Sequence, residues 1–167
     1  MQRIKVGVLR GGPSSEYEVS LKTGKNILKD LPERKYIAQD ILLTKDGIFH
    51  ENGFPKKPEK IFRNIDVIFN ALHGEFGEDG KIQQLFEAHQ MPYTGSGIFG
   101  SAIAMQKHLS REVFEQAGIK VARAMLVNSN DDLEAKAFEA REKLFPWWVI
   151  KPASRGSSVG TTIAKSL

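Results

Sequence analysis

Over residues 1–95, short apolar runs alternate with segments of helical periodicity, and this alternation limits the possible folds more than any other feature of the sequence. The runs Ile4–Leu9 and Asp66–Leu72 are mostly apolar, which is typical of parallel strands that are buried on both faces. A third strand is predicted at Tyr36–Leu43. Strands that alternate with helices in this way predict an α/β fold with a doubly wound parallel sheet.

Helix and turn signals complete this first portion. Pro13–Glu16 is expected to open a helix, with a serine capping its first amides. A second helix follows from apolar residues at i, i+3, i+4 and i+7 spacing, and Asp79 is the predicted N-cap of that helix. Turn sequences at 45–47 and 51–53 flank a short segment and predict a β-hairpin. Residues 91–94 are expected to form a brief strand.

The second portion, residues 96–167, has a different character and is predicted to be α+β with antiparallel strands. Little sequence remains after its last predicted strand to close a sheet, so this portion is expected to be an incomplete domain. The predicted domains are therefore 1–95 and 96–167. The elements expected in the second are a helix capped by Ser110, a strand at 121–127, a helix at 131–143, and two strands at 147–150 and 161–164.

Composition excludes several classes of protein. The 167 residues contain no cysteine, so the sequence has neither disulfides nor thiolate metal sites. No apolar run approaches transmembrane length, and no signal-peptide pattern opens the chain, so a cytoplasmic location and no membrane partner are expected. The net charge is +4. The one basic cluster, at residues 56–63, has no interleaved aromatic side chains, which favours a solvated loop over a nucleic-acid interface.

The stretch at residues 147–160, WWVIKPASRGSSVG, predicts a phosphate site. An apolar strand ends at Lys151, and the following Gly/Ser loop offers backbone N–H groups that bulky side chains do not shield. Such a loop can cradle phosphate oxygens, and a lysine beside it supplies a point charge. On these residues alone, an ordinary hairpin turn that contains glycine and serine is an equally good interpretation.

Two further residues lie where open α/β sheets bind ligands, at the carboxyl ends of predicted strands. Glu16 either favours the helix dipole or captures a substrate ammonium group. His73, between a strand and Gly74, either faces a ligand or bonds to nearby backbone. The acidic residues of the following loop lack a spacing that would converge three oxygens, so no metal site is predicted from them.

Three motifs occur in order: GGPSSEYEVS at 11–20, ALHGEFGEDG with PYTGSG at 71–97, and IKPASRGSSVG at 150–160. Together they resemble the D-alanine–D-alanine ligases of the ATP-grasp superfamily, in the N-terminal and partial central region only. The resemblance implies a Rossmann-like, pre-ATP-grasp domain at 1–95 and the first part of an ATP-grasp domain at 96–167. It also implies an enzyme that uses ATP and Mg²⁺ to join two D-alanines for peptidoglycan through an acyl phosphate.

The resemblance also implies roles for residues that match the motifs. Glu16 would hold the ammonium group of the first D-alanine, and His73 would lie near the reacting carboxyl group. Ser157 would hydrogen-bond in a network with Glu16. The ATP phosphates would be contacted by Lys107, Lys151 and Ser158. Gln106 departs from the acid that often precedes the lysine matched by Lys107.

In the ligases that the motifs resemble, the magnesium ligands and the adenine-binding hinge lie beyond the position of Leu167. The resemblance therefore implies that this chain, tested alone, is inactive. An exposed apolar strand edge in residues 96–167 would favour pairing with a second copy, giving a homodimer. Two alternatives stay open: an ATP-grasp ligase with a different second substrate, and a non-catalytic α/β module that binds a ligand or a partner.

Overall fold

The computed structural model describes residues 2–165, and the backbone forms two compact units, Met1–Ala102 and Ile103–Leu167. The first unit is built on a five-stranded sheet. Its strands are β1 (Ile4–Gly11), β2 (Tyr36–Leu43), β3 (Phe49–Glu51), β4 (Phe54–Pro55) and β5 (Val67–Asn70).

The sheet has the order β4-β3-β2-β1-β5. Strand β1 is central and pairs in parallel with β2 on one side and β5 on the other, with Val6 opposite both Ala38 and Val67. Strands β3 and β4 return antiparallel at the β2 edge, as the turn signals predicted. The predicted α/β class is confirmed, and the sheet is mixed because this hairpin extends a parallel centre.

In the sequence, two helices of the first unit lie between its strands and the others follow β5. They are α1 (Tyr17–Asp30), α2 (Pro58–Phe62) and α3 (Lys81–Ala88), and α4 (Ile98–Met105) contains the boundary between the units. None of the helices within residues 2–165 is both long enough and apolar enough to cross a membrane.

Alternate residues of β1 are buried in two separate apolar clusters, so each face of the sheet has its own core. Val6 and Val8 pack with Ala71 and with Leu28 of helix α1. Leu9 belongs to the other and larger cluster. The other buried members of that cluster are Ile41, Leu43, Phe49, Ile61, Phe62, Ile65, Ile68, Leu72, Ile82, Phe86 and Met91. Because both faces are covered, the buried residues of β1 run consecutively from Val6 to Leu9 and do not alternate with polar residues.

A buried serine ties helix α1 to the ends of β1 and β5. The Ser20 hydroxyl accepts a hydrogen bond from the backbone N–H of Gly11 at 2.7 Å. The same hydroxyl donates to the carbonyl of Ala71, also at 2.7 Å. The Ser20 side chain is fully buried, so no water replaces these bonds. One side chain therefore satisfies two backbone groups at the point where two neighbouring strands end.

The second unit contains helices α5 (Lys107–Gln116) and α6 (Leu133–Lys143) and the antiparallel pair β6 (Trp148–Ile150) and β7 (Thr162–Ala164). Asp132 is the N-cap of α6, and its carboxylate accepts hydrogen bonds from the backbone N–H groups of Glu134 and Ala135. Among residues 103–165, none is buried. Large apolar side chains such as Phe145 and Trp147 remain mostly exposed.

Several sequence predictions are wrong in detail. Residues 121–127 form no strand, because a strand needs a neighbour to accept its backbone hydrogen bonds and no described residue pairs with them. Ser110 lies inside α5, and its hydroxyl donates back to the carbonyl of Ile103 at 2.8 Å. The N-cap of α5 is Gln106.

Two other predictions are corrected in the first unit. The N-cap of α3 is Gly80, which adopts a left-handed conformation with φ of 96°. Asp79 precedes it, and its carboxylate accepts from the N–H of Lys81 at 3.1 Å. The brief strand expected at 91–94 is reduced to a single parallel bridge between Tyr93 and Ile68.

We expect Gly11→Ala to destabilise the protein far more than Gly47→Ala. Both glycines have positive φ, so alanine costs about 1–2 kcal/mol at either position. A Cβ at Gly11 would lie 2.2 Å from the carbonyl oxygen of Leu43, whereas a Cβ at Gly47 would meet no atom within 4 Å. Urea denaturation should show an additional loss of roughly 2 kcal/mol or more for Gly11→Ala. Equal losses for the two variants would contradict this account.

We expect Ser20→Ala to lower the free energy of unfolding by about 2–4 kcal/mol, because it leaves a buried N–H and a buried carbonyl without partners. The matched control is Ser15→Ala, since Ser15 is exposed and should change stability by less than about 0.5 kcal/mol. Thermal and urea denaturation measure both. A Ser20→Ala protein as stable as the control would show that the two hydrogen bonds contribute nothing.

Candidate functional site

The candidate site in the first unit lies at the carboxyl ends of β1 and β5. The chain leaves β1 for β2 on one side and later returns to β5 on the other, so the strand order reverses beside β1. In open α/β sheets, ligands bind in the crevice outside the strands at such a reversal. Glu16 follows β1 and His73 follows β5, and both are therefore on loops at this reversal.

The loops that carry Glu16 and His73 are joined by a buried serine. The Ser14 hydroxyl donates to the backbone carbonyl of His73 at 2.6 Å and accepts from the backbone N–H of Glu16 at 3.1 Å. The Glu16 carboxylate reaches the second loop as well, because a Cβ placed on Gly74 would lie 3.0 Å from Glu16 Oε1. The structure thus brings the two sequence-predicted residues together. Sequence reasoning missed Ser14 as the link and assigned its loop only a capping serine.

Both nitrogens of the His73 ring face polar side chains. Its Nε2 lies 2.9 Å from the hydroxyl of Thr23 on α1. Its Nδ1 lies 3.8 Å from Oε1 of Glu78. The other oxygen of Glu78 accepts from the backbone N–H of Gly74 at 2.8 Å, which fixes the carboxylate beside the ring. Sequence reasoning missed Thr23 and Glu78, because neither the helix pattern nor the loop composition indicates which side chains reach His73.

In the second unit, two lysines predicted to contact phosphate lie close enough to affect each other. Burial lowers the pKa of Lys107, and the positive charge of Lys151 lowers it further. Within residues 2–165 neither lysine forms a salt bridge with an acidic side chain. Two like charges without a carboxylate partner favour the binding of an anion between or beside them.

Two backbone carbonyls of the loop after Lys151 accept hydrogen bonds from Lys107. The backbone N–H of Lys107 donates to the carbonyl of Ala153 at 2.9 Å. The Lys107 ammonium group donates to the carbonyl of Arg155. These bonds place the start of α5 beside the loop. The sequence does not indicate this contact, because 43 residues separate the two lysines.

The Gly/Ser loop itself is exposed and has an unusual backbone. Ser157 and Ser158 both have positive φ, 51° and 60°, as does Gly160 at 72°. Residues other than glycine adopt such conformations at a cost of about 1–3 kcal/mol, and they concentrate at ligand clamps and switch regions. Both serine side chains are exposed, so their hydroxyls and the neighbouring amides are accessible to a ligand.

The six sequence-predicted residues therefore fall into two groups, one in each unit. Glu16 and His73 lie together in the first unit, and Lys107, Lys151, Ser157 and Ser158 are in the second. No cluster of three or more His, Asp or Glu side chains that could hold a metal ion occurs among residues 2–165.

Comparison with known proteins gives consistent results at the level of sequence. A family profile described as the D-ala D-ala ligase N-terminus matches residues 50–96. The D-alanine–D-alanine ligase of Geobacter sulfurreducens is 40% identical over 167 residues, a match that covers 99% of this chain and 48% of that protein. The chain thus spans about half the length of the curated relatives it matches.

Solved structures agree. The D-alanine–D-alanine ligase of Coxiella burnetii matches with a TM-score of 0.86 and 26% identity, over 99% of this chain and 56% of that one. The VanG D-Ala:D-Ser ligase of Enterococcus faecalis matches with a TM-score of 0.81 and 27% identity, over 99% and 57%. A Bacillus anthracis D-alanine–D-alanine ligase complexed with ATP matches with a TM-score of 0.76 and 29% identity, over 98% and 50%. The resemblance carried by the three motifs is confirmed, and the chain is related in sequence and fold to the N-terminal region of D-alanine–D-alanine ligases.

Proposed function

We propose that this chain supplies the first D-alanine site and part of the ATP phosphate site of a ligase that joins two D-alanines for peptidoglycan synthesis. The observation that carries the proposal is the position of the Glu16 carboxylate, next to Gly74 and the His73 loop at the reversal of strand order. The match to ligases along nearly the whole chain supports it.

Glu16 is proposed to bind the ammonium group of the first D-alanine. Its backbone N–H bonds to Ser14, which holds the residue at the start of α1 with its carboxylate toward the second loop. A carboxylate held in this way pairs with a substrate ammonium without first losing much conformational freedom.

His73 is proposed to lie near the reacting carboxyl group of the same D-alanine, since its loop contacts Glu16 through Ser14 and Gly74. Ser157 is proposed to hydrogen-bond in a network with Glu16 when substrates are bound. The side chain of Ser157 is exposed.

Lys107, Lys151 and Ser158 are proposed to contact the phosphates of ATP. The residues present fit a polyanion: the charge of Lys151 already lowers the pKa of Lys107, so phosphate would relieve the repulsion between them. The related Bacillus anthracis structure was obtained with ATP. Because phosphate binding needs Lys107 protonated, affinity should fall as pH rises through its lowered pKa.

The proposed reaction has two steps. A carboxylate oxygen of the first D-alanine attacks the terminal phosphorus of ATP, and ADP leaves, which gives an acyl phosphate. The amine of the second D-alanine then attacks the acyl carbon, loses a proton, and expels inorganic phosphate. A carboxylate needs such a leaving group to become a useful electrophile, and the acyl phosphate must be protected from water.

Magnesium would neutralise charge on the transferring phosphoryl group. The described residues 2–165 contain no cluster suited to hold it, and we assign none of them to this role. Location in the cytoplasm and self-association through the open edges of β6 and β7 stay predictions.

A ligase with another second substrate is the second candidate, and the match to a D-Ala:D-Ser ligase favours it. The proposed role of Glu16 is the same in both candidates, because each begins with D-alanine. A non-catalytic α/β module that binds a ligand or partner is the third. The first two candidates are distinguished by offering D-alanine, D-serine and D-lactate as second substrates to a full-length protein that contains this chain.

Glu16→Gln should lower kcat/KM for the first D-alanine by roughly 100-fold or more, because removing one partner of a desolvated charge pair costs about 2–5 kcal/mol. The assay uses residues 1–167 joined to the C-terminal half of the Geobacter sulfurreducens relative, with D-alanine-dependent ADP release as the readout. Glu18→Gln is the control, since it removes the same charge from an exposed position in the same helical turn.

Activity of the Glu16→Gln hybrid equal to that of the control would overturn the assignment. A second measurement covers a hybrid that fails to fold. D-Alanine titrated into the 167-residue chain should shift the NMR signal of the Gly74 amide, and Glu16→Gln should abolish that shift. No shift at saturating D-alanine would count against the site.

We also expect the 167-residue chain tested alone to release no ADP in response to D-alanine, since it spans about half of its relatives. D-alanine-dependent ADP release by this polypeptide would show that the described residues suffice for catalysis.

A further inference from the structure

The two nitrogens of the His73 ring face groups of different chemistry. The neighbour of Nε2 is the hydroxyl of Thr23, at 2.9 Å, and a hydroxyl can either donate or accept. The neighbour of Nδ1 is the carboxylate of Glu78, at 3.8 Å, and an ionised carboxylate can only accept. The tautomer of His73 is therefore set by the Glu78 side, where the neighbour can only accept a hydrogen bond.

The Glu78 carboxylate is fixed in its position beside the ring. Its Oε2 accepts from the backbone N–H of Gly74 at 2.8 Å, and the backbone N–H of Glu78 donates to the carbonyl of Gly74 at 2.9 Å. These reciprocal bonds close a small loop directly after His73. The bond to Gly74 thus places the negative charge of Glu78 on the Nδ1 side of the ring.

A fixed acceptor near Nδ1 favours the tautomer with its proton on Nδ1, which leaves a lone pair on Nε2. That lone pair needs a donor, and the Thr23 hydroxyl is within hydrogen-bond distance of it. The opposite tautomer would turn the Nδ1 lone pair toward the carboxylate, where two acceptors repel. Thr23 and Glu78 thus favour the same tautomer of His73.

We propose that Thr23 is a positioning residue that, together with Glu78, holds neutral His73 as the Nδ1–H tautomer. At 3.8 Å, the distance from Nδ1 to Glu78 is longer than a hydrogen bond, so this N–H keeps its capacity to donate to a ligand. The ligand that accepts from this N–H would be an oxygen of a carboxylate or acyl phosphate. This identification of the ligand rests on the proposed function. The tautomer itself does not rest on it.

The test is a two-dimensional ¹H–¹⁵N NMR experiment on the imidazole rings of the 167-residue chain, at a pH where the imidazoles are neutral. His73→Gln assigns the ring among the four histidines. We expect Nδ1 to carry the proton in the parent chain. Thr23→Val, which keeps the shape and removes the donor, should raise the Nε2–H population several-fold, and Thr23→Ser should restore the parent spectrum.

Thr44→Val is the matched control, because the Thr44 hydroxyl bonds to the carbonyl of Ile48 and not to a histidine. It should leave the His73 signals unchanged. A parent chain with the proton mainly on Nε2, or a Thr23→Val chain with unchanged populations, would overturn the inference.

Activity of the hybrid enzyme separates this inference from the proposed function. Thr23→Val should lower kcat several-fold with a smaller change in KM, and Thr23→Ser should retain the parent kcat. If NMR shows the Nδ1–H tautomer but His73→Gln leaves kcat unchanged, the proposed role of His73 fails and the inference stands. If His73→Gln lowers kcat while Thr23→Val changes neither tautomer nor kcat, the inference fails and the role stands.

Discussion

The hydroxyl of Ser20 bonds to the N–H of Gly11 and the carbonyl of Ala71, and the geometry of the candidate site depends on these two bonds. They fix helix α1 to the ends of two neighbouring parallel strands in a place that water does not reach. The close approach of Gly11 to Leu43 at the same point leaves no room for a Cβ. Because the strand ends cannot separate, the two loops that follow them are held side by side.

The arrangement of those loops suits a zwitterionic ligand. Ser14 joins them through one donated and one accepted hydrogen bond, and the Glu16 carboxylate lies against Gly74. Glu16, whose carboxylate can pair with an ammonium group, is thus linked through Ser14 to the loop of His73, whose imidazole can bond to a carboxyl group. The core beneath them is buried on both faces of the sheet, so we expect packing to preorganise the loops before a ligand binds.

The second unit is organised differently. Residues 103–165 contain no buried side chain, so apolar packing contributes little to the positions of Lys107 and the Gly/Ser loop. Hydrogen bonds to the loop's carbonyls hold them instead: the backbone N–H of Lys107 donates to Ala153, and its ammonium group donates to Arg155. Positive φ at Ser157 and Ser158 stores strain in the same loop. A site held in this way is more easily reshaped by an anion than one supported by a packed core.

The α/β class, three parallel strands and the residues at the strand ends were predictable from sequence, because apolar periodicity and glycine placement act locally. It also predicted a strand at 121–127, which has no partner in residues 2–165, since pairing is a non-local property. The folded chain was needed to show that Ser20 joins two strands, that Thr23 and Glu78 reach His73, and that Lys107 meets the loop after Lys151. Apart from the contact of Glu78, these are hydrogen bonds between residues far apart in the sequence, and such a bond depends on a distance that sequence spacing does not encode.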